Sequence, residues 1–244
     1  MNNMNQFVWD EMKFFVSRLA SLSVSESFRF NNESICVFTN TPSENWIYYP
    51  SPEGDYESVK KAAEFFREHD NRAFMWPVHD AESLRHSGLI YAGDLVAMTL
   101  EPVREYESDP SVTFRQIKTP DDVSLWANIT WRSFDGYGDE ASDDFCEFTG
   151  ALINDHKNIS LTAAMYEGKA AGSYLNTVMG GVYFFGVIPE MRRKGIARAM
   201  MCEICRHNKL ITLQATEAGY KFYKSFGFTE HFRMPVYSNT ADIF

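Results

Sequence analysis

Residues 185–198 read Phe185-Gly186-Val187-Ile188-Pro189-Glu190-Met191-Arg192-Arg193-Lys194-Gly195-Ile196-Ala197-Arg198. The stretch opens as the end of an apolar run that begins at Val182, as expected for a central strand buried on both faces, and Pro189 stops it. A turn containing Gly195 follows, with four positive charges (Arg192, Arg193, Lys194, Arg198) within seven residues. Beyond it, Ile196, Met200 and Ile204 recur beside Ala197, Met201 and Cys205, a spacing that predicts a helix with one apolar face. The pattern is strand, basic loop, helix. At a helix N-terminus the first N–H groups lack intrahelical partners and the macrodipole is positive, so the loop suits a phosphate or pyrophosphate. Gly195 lets the backbone approach a ligand with no Cβ in the way. A solvated basic turn ahead of an amphipathic helix is the plainer reading, and this segment alone does not separate the two.

Upstream, residues 112–117 read as a strand. Thr119-Pro120-Asp121-Asp122 starts a helix, with a Thr cap, Pro at the first helical position and acids in the first turn. Val123, Trp126 and Ile129 give it an apolar face. A second helix is expected over 143–154. Strands 159–166 and 170–178 flank the hairpin turn Glu167-Gly168-Lys169, and Gly180-Gly181 turns the chain into strand 182–187.

The pattern Arg192-x-x-Gly195-x-Ala197, behind a strand ending in Val187-x-Pro189, resembles the acyl-CoA pyrophosphate loop of the GNAT superfamily of N-acyltransferases. A second run is Leu213-Gln214-Ala215-Thr216-Glu217-Ala218-Gly219-Tyr220-Lys221-Phe222-Tyr223-Lys224-Ser225-Phe226-Gly227-Phe228. It is similar to the family's strand–helix–strand element, closed by aromatic-Tyr-x-x-x-Gly-Phe. The two motifs stand in order behind the strand hairpin, and the resemblance spans residues 111–237. It implies an α/β (α+β) fold with a mixed, mostly antiparallel twisted sheet flanked by helices. It also implies acetyl-CoA as acyl donor and no metal. In that pattern Phe185, Gly186 and Val187 end a strand splayed by a bulge, whose free backbone groups pair with the pantetheine arm. The amide of Val187 points at the thioester carbonyl as an oxyanion donor. Arg192, Arg193, Lys194, Gly195, Ile196, Ala197 and Arg198 wrap the pyrophosphate, mainly through backbone N–H groups. Thr216 stands where many members place Asn or Ser against the cofactor, and Tyr223 matches the general acid that protonates the departing thiolate.

The chemistry fits. A thiol has a pKa of about 8.5 and a phenol about 10, so a tyrosine is protonated at neutral pH and can donate to a thiolate as it forms. A core aromatic beside Phe222 and Phe226 is the other reading of Tyr223. Relatives often carry a glutamate base on the central strand or the strand after the loop helix; here neither Val182–Val187 nor 211–215 has a carboxylate. Asp135, Asp139, Glu147 and Glu217, or ordered water with Tyr183, are the remaining candidates. Cys202 and Cys205 form a CxxC in mid-helix with no second pair, which reads as two small core residues rather than a zinc or redox site.

Residues 1–108 carry no recognisable chemical motif. Val8, Met12, Phe15 and Leu19 form one helical stripe, and Val59, Ala62, Ala63 and Phe66 another. Strands are expected at 27–30, 35–39, 46–49, 73–76 and 94–100, and a short helix at 81–86. This part is read as a degenerate half of the same kind, lining the acceptor pocket. Tyr48, Tyr49 and Trp76 are either core or the wall of a groove for an organic cation. The polar, proline-flanked stretch 101–110 reads as a linker, giving domains 1–108 and 109–244.

The 244 residues carry 23 basic and 33 acidic side chains, net −10. Residues 1–108 hold 9 basic and 17 acidic of these, net −8, which favours a cationic acceptor. The acidic balance disfavours nucleic acid as a partner. No apolar run suits a membrane span, no secretory signal is seen, and four cysteines are no disulfide scaffold, so a cytoplasmic setting is expected. Together these features predict an acetyl-CoA-dependent N-acetyltransferase acting on a small-molecule or peptide amine. The rivals are an acyl-CoA-binding sensor or scaffold without turnover, and a tandem-domain aminoacyl transferase acting on tRNA-borne substrates.

Overall fold

The computed structural model describes residues 3–41, 44–68, 73–79, 82–101, 107, 109–134 and 140–240. The first elements are α1 (Asn3–Leu19), β1 (Ser25–Phe28), β2 (Ile35–Thr39), β3 (Asn45–Tyr48), α2 (Tyr56–Glu68), β4 (Phe74–Pro77), α3 (Glu82–Arg85) and β5 (Ile90–Leu100). Then come β6 (Val112–Gln116), α4 (Pro120–Ser133), α5 (Asp143–Asn154), β7 (Ile159–Tyr166), β8 (Lys169–Thr177) and β9 (Val182–Val187). A 3-10 turn (Pro189–Met191) leads to α6 (Ile196–His207), β10 (Ile211–Ala215), α7 (Glu217–Phe226) and β11 (Thr229–Ser238). The architecture is mixed α/β, with mostly antiparallel sheets and helices packed on them, as the sequence predicts. Among the described residues no helix is long and apolar enough to cross a membrane.

Two compact units divide the chain: residues 1–99 with 214–244, and residues 100–213. The sequence predicts one boundary, at 108/109, and keeps 109–244 together. The difference has a topological cause. β11 pairs antiparallel with β5 from Thr229↔Thr99 to Ser238↔Ile90, and with β4 at Val236↔Pro77 and Tyr237↔Trp76. The last strand therefore lies between two strands of the N-terminal part. The sheet order is β1-β2-β3-β4-β11-β5-β10, and the chain passes from the second unit to the first within β10. Most of the expected linker (102–106 and 108) lies outside the described residues.

In the first unit, the predicted stripe Val8, Met12, Phe15 and Leu19 is fully buried, as are Val59, Ala62 and Phe66 of α2. The buried Asn45 joins three segments: its Oδ1 accepts from Thr39 N–H at 2.9 Å, and its Nδ2 donates to the carbonyls of Thr41 and Ala73. β3 and β4 run parallel, in register Asn45↔Phe74 and Trp46↔Met75, with α2 as the crossover. The cation-groove reading of Tyr48, Tyr49 and Trp76 is corrected here. They are 7%, 7% and 0% exposed, and the Trp76 indole donates to the Tyr49 carbonyl at 3.1 Å. An aromatic with that much apolar surface is drawn into the core once its N–H finds a partner there.

The second unit holds the antiparallel sheet β6-β7-β8-β9 with α4, α5 and α6. The β7–β8 hairpin closes at Tyr166↔Lys169 through Glu167 (φ 50°) and Gly168 (φ 77°). Two left-handed residues give the turn whose twist matches the strands. Ser142 caps α5, its hydroxyl accepting from Phe145 N–H at 3.2 Å. Thr119 stands at the cap position of α4, yet its hydroxyl donates to the buried Asp122 (2.9 Å) instead of accepting from the helix. That bond, with the Lys118 amide and the Arg115 guanidinium, holds the Asp122 carboxyl below its usual range despite burial. The succession helix, three strands, helix, strand, helix, strand occurs twice, first from α1 to β5 and again from α5 to β11.

Candidate active site

The strand β9 and the basic loop lie in the second unit. The apolar run of β9 predicts burial on both faces along its whole length, yet only Val182 and Tyr183 are buried and Phe184 to Val187 are half-buried. Just ahead of β9, Gly181 forms a parallel bridge to Thr212 of β10, where Thr212 N–H donates to the Gly180 carbonyl at 3.0 Å. A Cβ on Gly180 (φ 88°) would lie 2.1 Å from the Leu210 carbonyl oxygen, so only glycine permits this approach.

The expected bulge is present. The β8–β9 register slips between Ser173 and Leu175, and Phe184 adopts φ 50°. A non-glycine residue there is strained and must be held by its surroundings. The Phe184 ring is anchored against Trp126, Phe145 and Phe148. Beyond the bulge, Ile188 N–H donates to the Ala171 carbonyl at 3.0 Å. Consecutive strand residues point their backbone groups to opposite edges, so the Val187 N–H and C=O face away from β8. Gly186 is explained by α4: a Cβ there would lie 2.5 Å from Ser133 Cβ. A lone glycine inside a strand pattern is the sequence signal for this close approach.

The loop turns twice into left-handed backbone, at Arg193 (φ 64°) and at Gly195 (φ 79°), the cap position of α6. Such alternation turns successive N–H groups toward one concavity, the geometry of an anion-binding nest. Among the described residues, chain neighbours aside, no atom lies within 4 Å of a Cβ built on Gly195, so the space in front of it is open. Arg192, Arg193, Lys194 and Arg198 are exposed, Ala197 is half-buried and Ile196 is buried as the first apolar anchor of α6. The Lys194 ammonium sits 5.4 Å from the Tyr166 ring centroid and 3.4 Å from Met191 Sδ. The Arg192 guanidinium is engaged with backbone carbonyls: Nε donates to Val187 (3.1 Å) and Nη2 to Ser133 (3.0 Å).

α7 lies in the first unit. Thr216 is its half-buried cap residue; its carbonyl accepts from Gly219 and Tyr220, and its hydroxyl makes no capping bond. Tyr223 is 8% exposed, with Phe222 and Phe228 edge-on to its ring. Gly219 leaves room for that ring, since a Cβ there would come within 2.9 Å of it. Burial pushes the Tyr223 phenol well above its usual pKa, which keeps the proton on. On β10 the Gln214 side-chain nitrogen is buried with no partner among the described residues, a donor that the sequence does not single out.

Of the candidate bases, Asp135 and Asp139 lie outside the described residues, Glu147 and Glu217 are exposed, and Tyr183 is buried. Cys202 and Cys205 are thiols, not a disulfide, on the buried face of α6. Among the described residues no group of three or more His, Cys, Asp or Glu is placed to hold a metal.

Residues 156–230 match the Acetyltransferase (GNAT) domain, a span that contains β9, the basic loop and α7. Among solved structures, the chain resembles a GCN5-related N-acetyltransferase from Kribbella flavida (11% identity, 95% of each chain covered, TM-score 0.66). It also resembles a putative GNAT-family acetyltransferase from Novosphingobium aromaticivorans (14% identity, 95% of each chain, TM-score 0.61). A tandem GNAT protein from the clavulanic acid biosynthesis pathway covers 84% of this chain over 77% of its own (10% identity, TM-score 0.56). At these identities the likeness is one of fold, and it extends over the N-terminal part as well. No curated protein matches the chain in sequence.

Proposed function

We propose that this chain, whose C-terminal part carries a GNAT domain, is an N-acetyltransferase that moves the acyl group of acetyl-CoA directly to a primary amine. The observation that carries this reading is the junction of β9 with α6. A bulged strand presents backbone groups on its outer edge, and a loop with two left-handed residues follows at once, open in front and positively charged. The strand edge suits the amide-rich pantetheine arm, and the loop suits a pyrophosphate.

In this reading the backbone N–H groups of residues 193–197, with Arg193 and Lys194, hold the phosphates. Val187 N–H donates to the oxyanion that forms when a neutral amine attacks the thioester carbonyl. Tyr223 gives its proton to the thiolate as the carbon–sulfur bond breaks, and the amine loses a proton to solvent or to a nearby base. A phenol keeps its proton over the whole physiological range and is available to donate as the thiolate forms.

The lack of a carboxylate on β9 and β10 favours a second reading, an acyl-CoA-binding sensor without turnover. Thiol release from acetyl-CoA against a panel of primary amines separates the two. Amine-dependent release that falls in Tyr223→Phe supports the enzyme, and binding without release for every amine supports the sensor.

A further inference from the structure

We propose that Arg192 is a positioning residue for acyl transfer, its guanidinium fixing the end of β9 to the last turn of α4, and that it is not a phosphate ligand. The inference rests on the proposed acyltransferase function. The Val187–Ile188 peptide is gripped from both edges: Ile188 N–H donates to Ala171, and the Val187 carbonyl accepts from Arg192 Nε. One peptide earlier, Val187 N–H points to the same outer edge as that carbonyl, so the grip confines the proposed oxyanion donor.

The same guanidinium reaches Ser133, the last residue of α4. A helix leaves its final carbonyls without intrahelical partners and carries partial negative charge at that end, so a cation there is favourable. Two further contacts tie the same helix end to the strand and loop. Gly186 packs directly on Ser133, and Arg132 pairs with Glu190 of the 3-10 turn. The planar fork of an arginine spans two carbonyls at once, which the compact ammonium of lysine does not. The loop retains Arg193 and Lys194 for an anion, and the contacts of Lys194 with a ring face and a thioether are weak ones to give up.

The test compares wild type with Arg192→Met and Arg192→Lys, using acetyl-CoA and the thioester of N-acetylcysteamine, a donor without phosphates. Circular dichroism checks that the variants fold. The expected result is that both variants lose kcat/KM by about tenfold or more, and by the same factor with either donor. CoA affinity measured by calorimetry should stay within about threefold of wild type. Loss confined to acetyl-CoA, with weakened CoA binding and an unaffected short donor, would overturn the proposal in favour of a phosphate contact. Hydrogen exchange supplies a readout independent of turnover. In Arg192→Met, peptides covering 129–134 and 186–189 should exchange faster, and unchanged exchange overturns the clamp. If wild type transfers nothing from either donor, the acyltransferase reading fails, while the exchange result still judges the clamp.

Discussion

Gly195→Glu places a carboxylate in the loop at the start of α6, and its effects on folding and on binding separate cleanly. Gly195 sits at φ 79°, where a side chain costs about 1–2 kcal/mol. Among the described residues, chain neighbours aside, no atom lies within 4 Å of the new Cβ, so no clash with them adds to that strain. In a chain of this size each kcal/mol lowers Tm by roughly 2–4 °C, so the variant stays folded at room temperature. Gly195→Ala carries the same strain without the charge and serves as the control. For binding, two like charges about 4 Å apart repel by about 1 kcal/mol in water and about 4 kcal/mol near a protein surface. Against a phosphate this weakens affinity by roughly 5- to 1,000-fold beyond the alanine control. The assay is calorimetric titration with acetyl-CoA at low and high salt, and the gap between the two variants should narrow as salt screens the repulsion. A folded Gly195→Glu protein that binds acetyl-CoA as tightly as wild type would refute the placing of phosphates at this loop.

Tyr223→Phe should lower kcat by about 100-fold or more with little change in KM, read by stopped-flow thiol release. The raised Tyr223 pKa also bears on stability. A phenol whose folded pKa lies above its unfolded value of about 10 leaves stability intact below pH 10, and that stability is lost as pH rises through the folded value. Wild type should therefore lose urea stability above about pH 10, and Tyr223→Phe should lose less. Gly180→Ala should destabilise by about 3 kcal/mol or more in thermal melts, because its Cβ meets the Leu210 carbonyl at 2.1 Å. Asn45→Ala strands the Thr39 amide and the Thr41 and Ala73 carbonyls, and should cost about 2–3 kcal/mol in urea unfolding with an unchanged m-value.

The C-terminal motifs are legible in the sequence because their signals are local. The Glu167-Gly168 turn, the apolar run 182–187 and the basic turn each declare their backbone within a few residues, and the hairpin, the strand and the loop form where those signals lie. The placement of β11 between β4 and β5 is not legible, since strand order is decided by pairings across more than a hundred residues and leaves no periodicity in the strand itself. Arg192 shows the same limit at the scale of one side chain. Its neighbours in sequence suggest a phosphate ligand, whereas its partners in space include two carbonyls, one of them 59 residues away. Tyr48, Tyr49 and Trp76 are ambiguous in sequence because an aromatic suits a core and a groove equally, and only burial chooses between them. Phe184 gives no warning of its left-handed backbone, since its strain is sustained by rings from α4 and α5.

The most direct measurement is a calorimetric titration of the wild-type chain with acetyl-CoA, followed by thiol release in the presence of primary amines. An N-acetyltransferase built on the β9–α6 junction binds acetyl-CoA saturably and releases thiol only when an amine is present. A chain that binds no acetyl-CoA would contradict that function and leave residues 193–195 as a solvated turn ahead of α6.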